Sequence, residues 1–390
     1  MRPRIAERVG QLPGYPLAKI PQRKRELISQ GVDVIDLGAG DDDVLPPEEA
    51  VRALDEAMDV SAMHRYGFQL GLPAFRKAVA RYHRRRFGIE FDPSSEVLPL
   101  IGSKEGIAHF ALAVCDIGDV AIVPEPGLQC YVGGAIAAGA EVHIYPLTPR
   151  TDFLLELGEL PGDLLSRARL VFVNCPNNPT AAVATHEYLE RTVATCRAYG
   201  IALAYDNPYV EITYDGYRAP SIFEIDGARE VAVEFHSVSK SFTLTGWRLG
   251  WAVGGAGLIA ALTKVKSYYD TGPFLAVQHA GAAVLDCAEE VVGPVVARYR
   301  GRRDVAVAAL RKAGFAASVP KATLYLWVPL PRGIPSAAFA TTAMEEEGVI
   351  VLSGSSFGAS ADGFFRIALT ADESRLEEAA VRLGKVLARS

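Results

Sequence analysis

Absences narrow this sequence before any motif does. Cysteine is scarce: Cys115, Cys130, Cys175, Cys196 and Cys287 are the only five among 390 residues. An odd count with no C-x-x-C pair excludes a disulfide scaffold and points to a reduced, cytoplasmic setting. No set of Cys and His has the spacing of metal ligands, so no metal is expected. Gly, Pro or a charge interrupts every apolar stretch well short of a membrane span. Met1-Arg2-Pro3-Arg4 leads into polar sequence rather than an apolar signal core. A basic excess is missing too, since 40 Lys and Arg face 46 Asp and Glu for a net charge of −6. That balance gives no reason to expect a nucleic-acid partner. The clusters Arg23-Lys24-Arg25 and Arg84-Arg85-Arg86 lie beside acidic residues in helical stretches, as solvated faces do. There is no internal repeat and no low-complexity tract.

What remains is a chain with an ordinary apolar share of 49%, long for one core and comfortable for two domains. Its middle alternates short apolar runs, at 120–123, 170–173, 201–204, 231–235 and 249–253, with amphipathic stretches at 105–113, 187–199 and 258–268. Runs so short and so uniformly apolar suit strands buried on both faces of a mostly parallel sheet. Strands alternating with helices predict an α/β architecture. From about residue 288 the texture changes to a long helix over 289–313, strands at 324–328, 349–352 and 364–369, and helices at 337–347 and 373–387. The reading is an N-terminal arm over 1–47 packed with a small C-terminal domain over 288–390, and a large domain over 48–287.

Polar motifs follow three of the predicted strands: residues 174–180 after the run at 170–173, 206–209 after 201–204, and 237–240 after 231–235. In open α/β sheets ligands bind beyond the carboxyl ends of the strands, so these loops would converge on one crevice. Lys240, just past a buried strand and flanked by hydroxyls, with Arg248 eight residues on, is a candidate nucleophile toward an aldehyde. Arg248 offers a planar fork for a phosphate dianion. Gly102-Ser103-Lys104-Glu105-Gly106 opens an apparent helix, where free amides form an anion site, although Ser103 could equally be a simple N-cap. Asp206 can pair with a protonated ring nitrogen, and Asn178 and Tyr209 can donate to a ring oxygen. Asn177-Asn178-Pro179 and Asp206-Asn207-Pro208 are also ordinary turn signals. Arg366, inside an otherwise apolar strand, requires an anionic partner: a structural carboxylate, or the α-carboxylate of a substrate.

In this order the motifs resemble class I/II aminotransferases of the type I pyridoxal-phosphate fold, nearest to the LL-diaminopimelate aminotransferase group. The likeness runs over nearly the full length and is carried by residues 34–40, 97–108, 174–180, 234–250 and 357–370. It implies a mostly parallel seven-stranded sheet flanked by helices, with a smaller α/β domain. It implies pyridoxal 5'-phosphate attached to Lys240, Asp206 on the ring nitrogen, and Asn178 and Tyr209 on the ring oxygen. Phosphate contacts fall to Ser103, Lys104, Ser237 and Arg248, and the carboxylate clamp to Arg366. The implied substrates are an amino acid and a 2-oxo acid, exchanged in a ping-pong cycle with Lys240 moving the proton. A homodimer is implied, with Tyr66 reaching the neighbouring subunit's phosphate, and with Tyr15, Gly40, Asn178 and Gln69 near the substrate.

Two departures bear on substrate. Leu128 stands where the family has an aromatic residue over the ring; it can pack there without stacking, which leaves Tyr131 as the candidate to compensate. Tyr66-Gly67-Phe68-Gln69 stands where diaminopimelate enzymes resemble Tyr-x-x-Glu. A neutral Gln69 predicts weaker binding of a cationic end group and argues against diaminopimelate. Two other readings remain at this point: a lyase, replacement or carbon-bond-forming enzyme using the same cofactor, or a non-catalytic cofactor-binding protein.

Overall fold

The computed structural model describes residues 3–14, 20–68 and 70–389. Its strands are β1 (Ile35–Asp36), β2 (Val97–Leu100), β3 (Val120–Glu125), β4 (Glu141–Pro146), β5 (Ala168–Asn174), β6 (Ala202–Asp206), β7 (Ala232–Ser237), β8 (Gly250–Gly254), β9 (Tyr325–Pro329), β10 (Val349–Ile350), β11 (Leu352–Ser353) and β12 (Phe364–Ala368). Seven of them form one sheet in the order β2-β8-β7-β6-β5-β3-β4. β4, β3, β5, β6 and β7 run parallel, while β8 lies antiparallel to both β7 and β2.

The sequence of β5 shows why the sheet forms. Val171 and Val173 enter one apolar cluster with Leu203 and Tyr205, and Leu170 and Phe172 enter another with Ala204 and Phe235. Successive side chains point to opposite faces, so a strand covered on both sides must be apolar at every position. Helices cover the two faces. One of them, Ser103–Val114, lies so close to β2 that a Cβ on Gly106 would come within 2.6 Å of Leu100.

The registers bring the functional loops level. Asn174 pairs with Asp206 across β5 and β6, Asp206 with Phe235 across β6 and β7, and Ser237 with Gly250 across β7 and β8. A third apolar cluster gathers Ile35 and Leu37 with residues from 295 onward, around the antiparallel sheet β11-β12-β9 and the parallel pair β1-β10. The N-terminal stretch thus reaches the C-terminal core through β1, where Ile35 pairs with Val349.

The structure differs from expectation at two places. The run at 349–352 is not one strand: β10 pairs with β1, and after Val351 the chain turns so that β11 pairs with β12. Edge strand β4 carries no clear apolar pattern, because among its six residues only Tyr145 is buried.

Candidate active site

The crevice beyond the carboxyl ends of β5, β6 and β7 holds a pocket of about 260 Å³. Its walls include Ser103, Lys104, Leu128, Asn178, Asp206, Tyr209, Ser237, Lys240, Arg248, Arg366 and Gly40, all singled out from the sequence. Tyr15 and Gln69 lie outside the described residues. Tyr66 is 71% exposed and is not part of the wall; its ring sits 5.9 Å from that of Phe68.

One end of the pocket collects donors. The helix Ser103–Val114 begins with Ser103 at its first position, and Gly102 occupies the N-cap with φ +70° and no capping side chain. Ser103 is therefore not the cap, and the first-turn amides, which lack intrahelical partners, remain available to an anion. Arg248 takes the left-handed conformation at φ +55° and donates to the Thr245 carbonyl at 2.8 Å. Its guanidinium lies over Gly102, where a Cβ would stand 2.5 Å from Nη2. Glycine at 102 is thus required both by its positive φ and by the arginine above it. Ser237 caps the short helix Val238–Ser241, accepting from the Ser239 amide. Lys104 joins this end, giving a cluster of positive and hydroxyl groups suited to a dianion.

At the other end Asp206 is buried. The Tyr131 hydroxyl donates to its Oδ2 at 2.6 Å, and its Oδ1 has no hydrogen-bond partner among the described residues. Burial pushes the Asp206 carboxyl up to about 6, against the opposing pull of the Tyr131 hydrogen bond and of nearby His236. Asn174 braces the same loops: its Nδ2 donates to the Asp206 carbonyl at 2.7 Å and its Oδ1 accepts from the Asn178 amide at 2.8 Å.

Between the ends, the Lys240 ammonium donates to the Gly40 carbonyl. Gly40 can carry no side chain, since a Cβ would meet the Tyr325 hydroxyl at 2.3 Å. Tyr325 also pairs with Tyr209, oxygen to oxygen at 3.2 Å. Burial alone would raise the Tyr325 phenol, but Lys240, Arg366 and the Tyr209 hydrogen bond outweigh it and lower it; burial leads in raising Tyr209. Either hydroxyl can be the donor of that pair. Arg366, buried in β12, reaches the Asn178 Oδ1 at 2.8 Å and the Gly38 carbonyl. Its guanidinium lies 4.3 Å from the Tyr325 ring centroid and 5.1 Å from that of Phe357.

Sequence reading missed Tyr325, Ser239, Thr245 and Phe357 as wall residues. The Tyr131 ring lines the same pocket, stacks on Phe172 with 4.9 Å between centroids, and gives its hydroxyl to Asp206. Tyr325 opens a strand that reads as plain core, and only the contact with Gly40 reveals it. Glu105, His109 and Asp270 bring possible ligand atoms within 4.8 Å of one another. The ammonium of Lys266 already sits among them, 2.5 Å from Glu105 and 2.7 Å from Asp270, so their charge is met by a lysine.

Residues 32–383 match the model of aminotransferase class I and II. The chain is 46% identical to an LL-diaminopimelate aminotransferase of Desulforudis audaxviator and 45% identical to one of Moorella thermoacetica, covering 98% of both partners in each comparison. Among solved structures it superposes on substrate-bound BacF of Bacillus subtilis with a TM-score of 0.95 at 29% identity, over 98% of each chain. A probable N-succinyldiaminopimelate aminotransferase of Thermus thermophilus gives a TM-score of 0.89 at 37% identity, over 94% of this chain and 99% of that one. The chain belongs to the class I and II aminotransferases and has their type I fold. It is a transferase that moves an amino group between an amino acid and a 2-oxo acid.

Proposed function

We propose that this aminotransferase works with pyridoxal 5'-phosphate held in the crevice and carried by Lys240. The observation that bears most weight is the buried Asp206 carboxylate, with one oxygen tied to Tyr131 and the other unpartnered among the described residues, in one pocket with Lys240 and Arg248. An unsatisfied buried carboxylate is costly, and a cationic ring nitrogen is the partner that would satisfy it. At the opposite end, the Gly102 cradle under Arg248 and the first-turn amides suit a phosphate. Ser103, Lys104 and Ser237 would complete that grip, Asn178 and Tyr209 would face the ring oxygen, and Leu128 would pack against the ring. When bound, the cofactor supplies an electron sink for the bond-breaking at the substrate's α-carbon.

The protein's own part follows from the geometry. Arg366 orients the substrate by its carboxylate, with Asn178 and Gly38 holding the guanidinium in place. The Nζ of Lys240 removes the proton from the α-carbon and later returns it one atom away. The Gly40 carbonyl holds that amine at the pocket wall. Asp206 stays ionised as long as it faces a cation.

The same reading extends to assembly. Tyr66, Phe68, Tyr268 and Tyr269 are all more than 60% exposed. Their loops adjoin, since a Cβ on Gly67 would lie 3.6 Å from the Thr271 carbonyl. An aromatic face of this kind is rarely left bare on a monomer, which supports a homodimer in which Tyr66 completes the partner's phosphate grip. The five free cysteines, four of them buried, support a reducing cytoplasm. We also take residues 288–390 with the N-terminal arm 1–47 as the small domain and 48–287 as the large one. A screen of amino donors against 2-oxo acids tests the reaction: turnover that requires the oxo acid supports it, and product formed without one contradicts it.

A further inference from the structure

A second cleft, of about 760 Å³, adjoins the active-site pocket and shares with it Gly127, Leu128, Gln129, Ser356 and Phe357. That volume lies within the range of ordinary small-molecule sites, roughly 300–1,000 Å³. Beyond the shared wall it is lined by Val123, Val132, Ile144 and Ala337 and by the hydroxyls of Ser353 and Ser355. Among the described residues no Lys, Arg or His belongs to that lining, and its one charge is the carboxylate of Glu125, whose Oε1 accepts from the Ser360 amide at 2.9 Å. Phe357 is the hinge of the argument. One part of it stands 5.1 Å from the Arg366 guanidinium, and it also forms a wall of the second cleft.

We propose that this second cleft is the side-chain subsite of the enzyme, and that it selects amino acids with long or bulky uncharged side chains over dicarboxylic ones. The inference rests on the reading of Arg366 as the substrate's carboxylate clamp. A carboxylate held there lies beside Phe357, so a side chain directed along the Leu128–Phe357 wall passes into the cleft. Leu128 leaves that passage lined by aliphatic surface. Once inside, methylene or aromatic groups meet Val132, Ile144 and Ala337, and a terminal hydroxyl or amide meets the serines. A terminal carboxylate meets the like charge of Glu125 and, among the described residues, no cation, a disfavoured pairing.

The test uses the cofactor-loaded enzyme and a donor ladder of alanine, 2-aminobutyrate, norvaline, norleucine and phenylalanine, with aspartate and glutamate alongside. In the wild type kcat/KM is expected to climb about threefold to fourfold per added methylene, the gain of burying that group. Glutamate is expected to fall at least tenfold below norleucine. Ala337→Trp and Ile144→Trp, both at exposed positions, fill the cleft and flatten the ladder by tenfold or more at norleucine relative to alanine. Thermal unfolding checks that each variant is folded. Competitive inhibition gives a readout apart from turnover: hexanoate binds more tightly than propanoate to the wild type, and the difference disappears in the variants. A ladder unchanged in both folded variants, or a wild type that prefers dicarboxylic donors, overturns the subsite. Product formed from these donors without any 2-oxo acid would overturn the amino-transfer reading beneath it, so the two failures are told apart.

Discussion

The Tyr131 hydroxyl lies 2.6 Å from the Asp206 Oδ2, and the two side chains meet beyond the carboxyl ends of parallel strands: Tyr131 from the first turn of the helix Gln129–Ala138, which follows β3, and Asp206 from the tip of β6. Both are buried, so the hydrogen bond aims one carboxylate oxygen and leaves the second free to meet a ring nitrogen. Tyr131→Phe removes this aim. A hydrogen bond to a charged group contributes about 1.5–3 kcal/mol, so cofactor affinity is expected to fall about tenfold to a hundredfold. Titration of the apoenzyme with pyridoxal 5'-phosphate checks it, and unchanged affinity would contradict the assigned part of Tyr131.

Asp206 also gives the apoenzyme a pH signature. Its carboxyl, pushed up to about 6 by burial, holds its proton more tightly folded than unfolded. The stability that this confers is fully present below the unfolded value near 4 and is lost as pH rises through 6; above that the buried charge is a net cost. In the apo form, Asp206→Asn is expected to be more stable than the wild type at pH 8, by about 3 kcal/mol, with the advantage shrinking toward pH 4. Urea unfolding at the two pH values measures it. Adding the cofactor reverses the order, because only the carboxylate is rewarded by a cationic ring.

A third expectation concerns the loop carrying Gly38 and Gly40. Its four successive carbonyls are all engaged: that of Leu37 by the Ala368 amide, of Gly38 by Arg366, of Ala39 by Thr370 and of Gly40 by Lys240. Just beyond, Asp43 receives both terminal nitrogens of buried Arg302 at 2.7 Å, and Asp42 receives the Tyr299 hydroxyl at 2.9 Å. Arg302→Met breaks the two-pronged pair, costing about 2 kcal/mol of stability. It also loosens the carbonyls that hold Lys240 and Arg366, so KM for the amino donor rises more than kcat falls. A stability loss with unchanged kinetic constants would show that the pair is only a staple.

Lys266, fully buried at the end of the helix Ala256–Lys266, is the fourth point. Its ammonium meets Glu105, whose own carboxylate accepts the Ile101 amide at 3.0 Å in the turn that leads into the helix Ser103–Val114, proposed to hold the phosphate. Lys266→Met leaves the half-buried Glu105 with His109 alone beside it, a loss of about 3 kcal/mol, the low end for a buried pair. Thermal unfolding of apo and loaded enzyme should show both forms destabilised and the stabilisation by inorganic phosphate reduced.

The parts legible in the sequence share one property: they are written in short local patterns. β5, β6 and β7 are covered on both faces, so each reads as an unbroken apolar run, and the polar residues that follow them mark the crevice. Lys240, Asp206, Arg248 and Arg366 stood out because charged groups beside such runs demand partners. β4 was invisible because an edge strand with one buried side chain keeps no apolar pattern. The split at Val351 was invisible because two strands of different sheets can be adjacent in sequence. The hydroxyl contacts of Tyr131 and Tyr325 were hidden for a related reason, since an aromatic residue next to core positions does not declare which polar group its hydroxyl will find. Gly40 shows the limit most clearly: its need to be glycine comes from Tyr325, 285 residues away in sequence.

The most direct measurement is reduction of the cofactor-loaded enzyme with borohydride, followed by proteolysis and mass analysis of the labelled peptide. The account predicts the cofactor's mass on the peptide containing Lys240, and no label and no turnover in Lys240→Ala. Label on another lysine, or a Lys240→Ala enzyme that still transfers amino groups, would contradict it.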